Sequence, residues 1–365
     1  MTTPQHNLAV IKVVGIGGGG TNAIKRMIGE GMTGVDFSAL NTDEQDLLDC
    51  DAPTKLDIGQ STTRGLGAGA DPAVGERAAR DNSQDIEDVL TGADMVFVTA
   101  GEGGGTGTGG APIVAGIARD LGALTVAVVT KPFSFEGKRR AENAANGIEK
   151  LRDACDTLIT IPNDRLLQQE DKTISINDAF SKADEVLFNG VQGITDLIST
   201  PGLINVDFAD VKSVLADSGA ALMGIGRASG NDRASKATDA AINSPLLEYS
   251  MEGAKGVLLS IAGGSDLGLF EANEAASIVR EKAHPDANII FGTVIDDSLG
   301  DEVRVTVVAA GFEGGEPPAR VFDNGTAKDE ESFEEAAEKS SGMSIRQRAT
   351  RVSDEDDIDI PPFMR

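Results

Sequence analysis

The chain of 365 residues contains no tryptophan, one tyrosine and two cysteines. Cys50 and Cys155 cannot build a disulfide framework, and so low a thiol content fits a reducing cytosol. His6 and His284 are the only histidines. They are too scattered for a histidine metal centre, and a surface or structural role is expected for both. No apolar run approaches the roughly 18 residues that span a bilayer, and no signal-peptide pattern is present, so direct membrane insertion is not expected. Positive charge is scarce: 32 Lys and Arg stand against 59 Asp and Glu, for a formal net charge of -27. That excess argues against a nucleic-acid surface and against attraction to anionic lipid. It also makes any self-association dependent on cations or screening salt. The G-x-x-x-x-G-K-[ST] phosphate loop is absent as well.

Glycine is plentiful, and two clusters of it carry the most information. Gly103-Gly104-Gly105-Thr106-Gly107-Thr108-Gly109 lies between the apolar run 95–100 and the apolar segment 111–118. That order reads as strand, loop, helix. Glycines let successive backbone N–H groups converge on one anion, and a helix start adds its own unsatisfied N–H groups and positive dipole end. The second cluster, Gly15-Ile16-Gly17-Gly18-Gly19-Gly20, follows the strand-like run 9–14 and precedes Thr21-Asn22-Ala23-Ile24. It satisfies G-x-G-x-x-G in its required context, with Asp43 a tolerable acidic partner, and so admits a dinucleotide reading. That reading leaves the loop 103–109 unexplained. Two phosphate-cradling loops on one sheet point instead to a single triphosphate gripped from both sides.

Strand-like runs at 9–14, 35–40, 95–100, 124–130 and 156–161 alternate with helical stretches, which implies a parallel sheet covered on both faces. Such sheets bind ligands at the carboxyl ends of their strands. Both glycine loops fall there, as do Asn41-Thr42-Asp43, Thr130-Lys131-Pro132 and Asn163. The glycine-rich segment 63–71 either closes over the site or is a flexible connection. Residues 173–200 read as one long helix, with Ile176, Phe180, Ala183, Leu187, Val191, Ile194 and Leu197 at helical spacing. Beyond it, strand 221–226, helix 231–243, strand 255–262, helix 270–283 and strands 288–296 and 302–309 suggest a second domain, its last two strands joined as a hairpin through Asp297-Ser298-Leu299-Gly300. The expected fold is therefore α/β: a Rossmann-like parallel-sheet domain over 1–172, a central helix over 173–202 and a second α/β (α+β) domain over 203–312. Residues 313–353 bury too little to offset their ordering entropy and read as a disordered linker, spanning roughly 35 Å r.m.s.. Apolar residues return in 354–365, which suggests a short docking peptide or else a frayed tail.

Three constellations carry candidate chemistry. Phe180 and Asp184 share a helix face. The ring can stack on a purine, and the carboxylate can accept from both N1–H and the 2-amino group of guanine; the plainer alternative is a core Phe beside a solvated Asp. Glu136 and Arg140 follow the fourth strand and either contact ribose and phosphate or form a surface ion pair. Asn205, Asp207 and Asp210 either cap a helix or orient a water for attack on a phosphoryl group. They stand beyond the far end of the long helix, so action on the nucleotide would require a neighbouring molecule.

The motifs Gly17–Asn22, Gly103–Gly109, Asn205–Asp210 and Asp359-Ile360-Pro361-Pro362-Phe363 resemble those of FtsZ, the bacterial tubulin-like cell-division GTPase family. The resemblance covers residues from about 8 to 312, plus the tail. It implies a tubulin/FtsZ-like fold and a GTP site formed by Gly18, Gly19, Gly20, Thr21, Asn22, Gly104, Gly105, Thr106, Gly107, Thr108, Gly109, Glu136, Arg140, Asn163 and Asp184. Phe180 would flank the guanine, and Ala68, Gly69 and Ala70 would approach the γ-phosphate. Mg²⁺ would bridge the phosphates, with protein ligands unspecified. The resemblance further implies a head-to-tail homopolymer in which Asp207, Asp210 and Asn205 of one subunit complete the GTPase site of the next. The tail, Asp359 to Phe363, would dock on membrane-tethering and regulatory proteins. The protein would then work in the cytoplasm, at a mid-cell division ring on the inner face of the membrane.

Overall fold

The computed structural model describes residues 9–167, 174–200, 202–247 and 249–312. The linker and tail expected over 313–365 lie outside them. Ten strands form one sheet in the order β3-β2-β1-β4-β5-β6-β7-β10-β8-β9. They are β1 Ile11–Ile16, β2 Asp36–Asn41, β3 Thr54–Asp57, β4 Met95–Gly101, β5 Leu124–Lys131, β6 Thr157–Pro162, β7 Gly219–Ser229, β8 Gly256–Gly263, β9 Asn288–Ile295 and β10 Glu302–Ala310. All neighbouring pairs are parallel except those made by β10, which runs against both β7 and β8. The central strands β1, β4 and β5 are continuous apolar runs because helices cover both their faces.

One face packs α1 (Gly17–Gly29), α2 (Glu44–Leu48), α8 (Ile176–Ser199) and α9 (Phe208–Leu215). The other packs α3 (Pro72–Asp81), α4 (Ser83–Leu90), α5 (Thr106–Asp120) and α6 (Lys138–Ala154). A short α7 (Asn163–Leu167) follows β6, and α10 (Arg233–Ile242) and α11 (Leu269–Lys282) cover the β7-β10-β8 end in a third apolar cluster. Helix α8 is the 24-residue helix expected from the apolar spacing, about 36 Å long at 1.5 Å per residue. Ser175 caps it by accepting from the Asp178 N–H at 3.1 Å. Its side chains reach both halves of the sheet. A Cβ on Gly193 would lie 2.8 Å from Thr306 Cγ2 of β10, so only glycine permits this approach.

Two expectations need correction. Ile176, counted on the buried stripe of α8, is 67% exposed, because the first turn of that helix projects past the sheet. Strands β9 and β10 are not a hairpin. The β8–α11–β9 crossover places β9 on the outer edge of β8, leaving β10 to fill the gap between β7 and β8. The link between them crosses the end of β8, where the Asp296 N–H bonds to the Gly263 carbonyl at 2.8 Å. Strand β3 and the helix pair α3–α4 were not singled out from the sequence.

Candidate nucleotide site

The two glycine loops build one floor. Gly17 has φ +69°, and a Cβ there would lie 2.8 Å from the Gly107 nitrogen; one on Gly19 would lie 2.9 Å from the Gly101 nitrogen. The loops therefore touch backbone to backbone. Both helices behind them start without a side-chain cap and without an acid in the first turn. Helices α2, α3, α8 and α9, by contrast, are capped by Asp43, Asp71, Ser175 and Asp207. The N-termini of α1 and α5 thus keep unsatisfied N–H groups and a positive dipole end for an anion. The Thr106 hydroxyl stands on this floor, 2.5 Å from the Thr42 hydroxyl.

These loops open on a cleft of about 460 Å³ lined, among the expected residues, by Gly18, Gly19, Asn22, Ala68, Ala70, Gly104, Gly105, Thr106, Gly107, Glu136, Arg140, Asn163, Phe180 and Asp184. Five others do not line it. Gly20 packs α1 on β4, where a Cβ would meet the Thr99 carbonyl at 2.6 Å. The buried Thr21 hydroxyl donates back to the carbonyls of Gly17 and Gly18. Gly69 sits exposed in its turn. Thr108 accepts from the Gly103 N–H at 2.8 Å and so braces the loop from inside. Gly109 lies against the Pro72 carbonyl of α3. The segment 63–71 is tied down rather than loose: Gly67 N–H bonds to the Thr42 carbonyl at 3.0 Å, and Leu66 bridges to Asp43. Asn41, Asp43, Asp46, Glu102, Thr130, Ala183 and Leu187 also line the cleft. Strand-end position pointed to Asn41, Asp43 and Thr130, and helical spacing from Phe180 pointed to Ala183 and Leu187; nothing in the sequence singled out Asp46 or Glu102.

At one end of the cleft, aromatic rings and polar groups combine. Phe180 is 41% exposed and meets the buried Phe133 edge-on, with ring centroids 5.3 Å apart. Phe133 stacks in turn on Phe135 at 5.0 Å. Burial pushes the Asp184 carboxyl up to about 6, against the pull of Arg26. Asn163 is buried, and its Oδ1 has no hydrogen-bond partner among the described residues. A buried acceptor left unmatched fits a ligand donor such as an exocyclic amine. Glu136 accepts from the Phe133 N–H at 2.9 Å and pairs with Arg140 at 2.5 Å. The ion pair and the cleft position therefore hold together. Among the described residues no group of three or more His, Cys, Asp or Glu could hold a metal ion. A Mg²⁺ ion here would depend mainly on phosphate oxygens; Asp43 and Asp46 are among the acids that line the cleft.

Asn205, Asp207 and Asp210 are exposed and stand apart from this cleft. Asp207 caps α9, and Asn205 accepts from the Gly202 N–H at 2.8 Å. Their loop is hydrogen-bonded to Thr293 of β9 through Ile204. The end of α8 that leads into it lies about 20 Å along the helix from Asp184.

A parallel sheet with two uncapped helix starts facing a cleft that holds an aromatic ring, a largely buried carboxyl and an unmatched amide oxygen defines a nucleotide-binding protein. Residues 10–171 match the Tubulin/FtsZ family, GTPase domain, and residues 219–313 the FtsZ family, C-terminal domain. An FtsZ dimer, empty, from M. jannaschii is 45% identical, with 87% of this chain and 94% of that one covered and a TM-score of 0.83. CetZ1 from Haloferax volcanii, a GDP-bound monomer, is 22% identical and shares the fold, with coverage of 83% and 94% and a TM-score of 0.72. CetZ2 from the same organism, a GTPγS-bound protofilament, is 20% identical over 91% and 98%, with a TM-score of 0.71. The chain belongs to the FtsZ family: it is a tubulin-like, GTP-binding GTPase of cell division.

Proposed function

We propose that this GTPase polymerises head-to-tail into filaments of the cytokinetic ring, and that each GTP site is completed by the next subunit. Residues 1–172 serve as the GTP-binding domain, and 203–312 as the domain that activates a neighbour's site. Guanine lies between Phe180 and the acceptors Asp184 and Asn163. Ribose meets Glu136 and Arg140, and the phosphates rest on Gly18, Gly19, Asn22 and Gly104–Gly107 beneath Ala68 and Ala70. Mg²⁺ neutralises the phosphates when bound. Asp207 and Asp210, with Asn205, orient the attacking water in trans.

The observation that carries this reading is the exposure of Asp207 and Asp210 at the opposite end of α8 from the cleft. Exposed apolar side chains support it. Leu66, Phe135 and Ile176 are exposed on the segments that frame the cleft. Leu203 is exposed in the Asp207 loop, which is bonded to β9, and Leu269 and Phe270, the last 89% exposed, open the helix that follows β8. Two unlike apolar ends suit a heterologous contact that repeats without closing. The FtsZ of M. jannaschii is seen as a dimer, which also favours self-assembly. The segment 359–363 recruits tethering and regulatory division proteins, which hold the filament at the inner face of the membrane at mid-cell; among the described residues no helix is long and apolar enough to cross a bilayer.

The test is GTP turnover per subunit against protein concentration, with Mg²⁺. A threshold followed by constant turnover is expected. Turnover independent of concentration would mean a self-contained site and would remove the roles given to Asp207 and Asp210.

A further inference from the structure

Glu102 has no part in the function described so far. It stands at the start of the β4–α5 loop, 4% exposed, and neither carboxyl oxygen has a hydrogen-bond partner. A Cβ on Gly147 of α6 would lie 2.5 Å from its Oε2 and 2.4 Å from the Thr108 methyl, so the carboxyl is wedged between α5 and α6. The Thr108 hydroxyl is beside it, in a geometry too poor to count as a hydrogen bond. That hydroxyl already accepts from Gly103 N–H. Gly103 has φ +99°, and a Cβ there would lie 2.8 Å from the Arg140 carbonyl oxygen, so the loop has little room to shift.

A carboxylate without donors in such a place is costly to keep charged. Burial raises the Glu102 carboxyl to about 8, and only Thr108 opposes it. Charged groups on the surrounding elements are directed elsewhere. On α6, Arg140 pairs with Glu136 and Lys150 with Glu76, which also binds Arg80 within α3. On α5 the first charge is Arg119, paired with Asp156 and Asp217 at the far end. Lys131 ends β5 and does not influence Glu102. Among the described residues no cation acts on the Glu102 carboxyl in this position.

We propose that Glu102 is a positioning residue of the nucleotide site: as a neutral acid it props the glycine loop from below, and once ionised it turns toward the cleft it already lines and repels the nucleotide's phosphates. The inference rests on the reading of that cleft as the GTP site. Both halves of the device follow from position. The neutral form costs far less to bury without partners than the charged one. On the cleft side the charged form meets Gly104 and Gly105, which present the N–H groups meant for an anion; behind the loop it would instead reach the opening lined by Thr108, Gly147 and Lys150, and a carboxylate that turned there would leave the two titration curves parallel.

Calorimetric titration of GDP into wild-type protein and Glu102→Gln, from pH 6.5 to 9.0, tests it. Effects on the nucleotide and on other groups are shared, so the difference between the curves isolates Glu102. Wild-type affinity is expected to fall about tenfold by pH 9 relative to the variant, since a group that titrates near 8 is then nine-tenths ionised. Parallel curves would overturn the proposal. So would a difference confined to stability, read from urea midpoints over the same range with no difference in affinity. If Glu102→Gln does not fold, Glu102→Leu replaces it, since the side chain has no hydrogen bonds to lose. Failure of both proteins to bind GDP at any pH would overturn the GTP-site reading itself, and this inference with it.

Discussion

The Asp207 carboxylate accepts the Asp210 backbone N–H at 2.8 Å, so one acid of the pair caps α9 while the other projects from its first turn. The cap fixes the direction of the Asp210 side chain, and the dipole of α9 favours its charge. Asp207 thus has a structural task that Asp210 lacks. Asp210→Asn is expected to keep GTP affinity and assembly while turnover falls about 100-fold or more, the range typical for loss of a group that positions or activates a nucleophile. Phosphate release above the assembly threshold measures it. Turnover at the wild-type rate would remove Asp210 from the reaction. Asp207→Asn should show a smaller loss of turnover together with some loss of stability.

Asp184 sets the response to acid. Burial pushes its carboxyl up to about 6, so it carries charge above that pH and is neutral below it. A carboxylate accepts both guanine N–H groups, whereas the protonated acid brings a donor into the same place. GDP affinity should therefore weaken as pH falls from 7 to 5. Asp184→Asn should bind GDP about 30-fold more weakly at pH 7, consistent with a charged hydrogen bond of about 2 kcal/mol, and should lack that pH dependence. Titrations at pH 5, 6 and 7 decide it, and an unchanged affinity in Asp184→Asn would exclude the carboxylate from guanine recognition.

Phe270 is nearly fully exposed at the first turn of α11, beside Leu269. If these rings and chains seat on the next subunit, Phe270→Asp adds charge to an already acidic chain at the contact and should abolish sedimentable polymer. GTP affinity of the monomer should not change, because α11 takes no part in lining the cleft. Normal pelleting by Phe270→Asp would place the contact elsewhere.

Arg233 holds that corner together. It is 5% exposed and pairs with Glu271 at 2.8 Å, Asp266 at 3.0 Å and Asp301 at 3.2 Å, linking α10 to the start of α11 and to the turn before β10. Removing one partner of a buried ionic group leaves the others unmatched. Arg233→Ala should lower stability by about 1.5 kcal/mol, mainly through Glu271, because the exposed Asp266 and Asp301 rehydrate; it is read as a lower urea midpoint with the slope unchanged. A midpoint at the wild-type value would mean that the acids are satisfied by water alone.

The β1, β4 and β5 strands and the two loops after them are local in origin. Short unbroken runs rich in Val and Ile, each closed by glycines, fit strands buried on both faces, and glycines at their carboxyl ends fit turns or close backbone approaches. Helix α8 is equally local, since an apolar stripe at helical spacing states its own period. The sequence by itself therefore indicated strands β1, β2, β4, β5 and β6 and the two glycine loops, and offered Phe180, Asp184, Glu136 and Arg140 as candidates. What it could not determine depends on distance in space. That β10 enters between β7 and β8 was decided by the α11 crossover, because the chain order 9, 10 suits a hairpin equally well. That Thr108 and Gly109 brace the loop, while Thr106 reaches the cleft, was decided by the rotation of α5 against α3. That Glu102 is buried without a partner was decided by Gly147, 45 positions away, whose missing side chain leaves room for the carboxyl and supplies nothing to bind it.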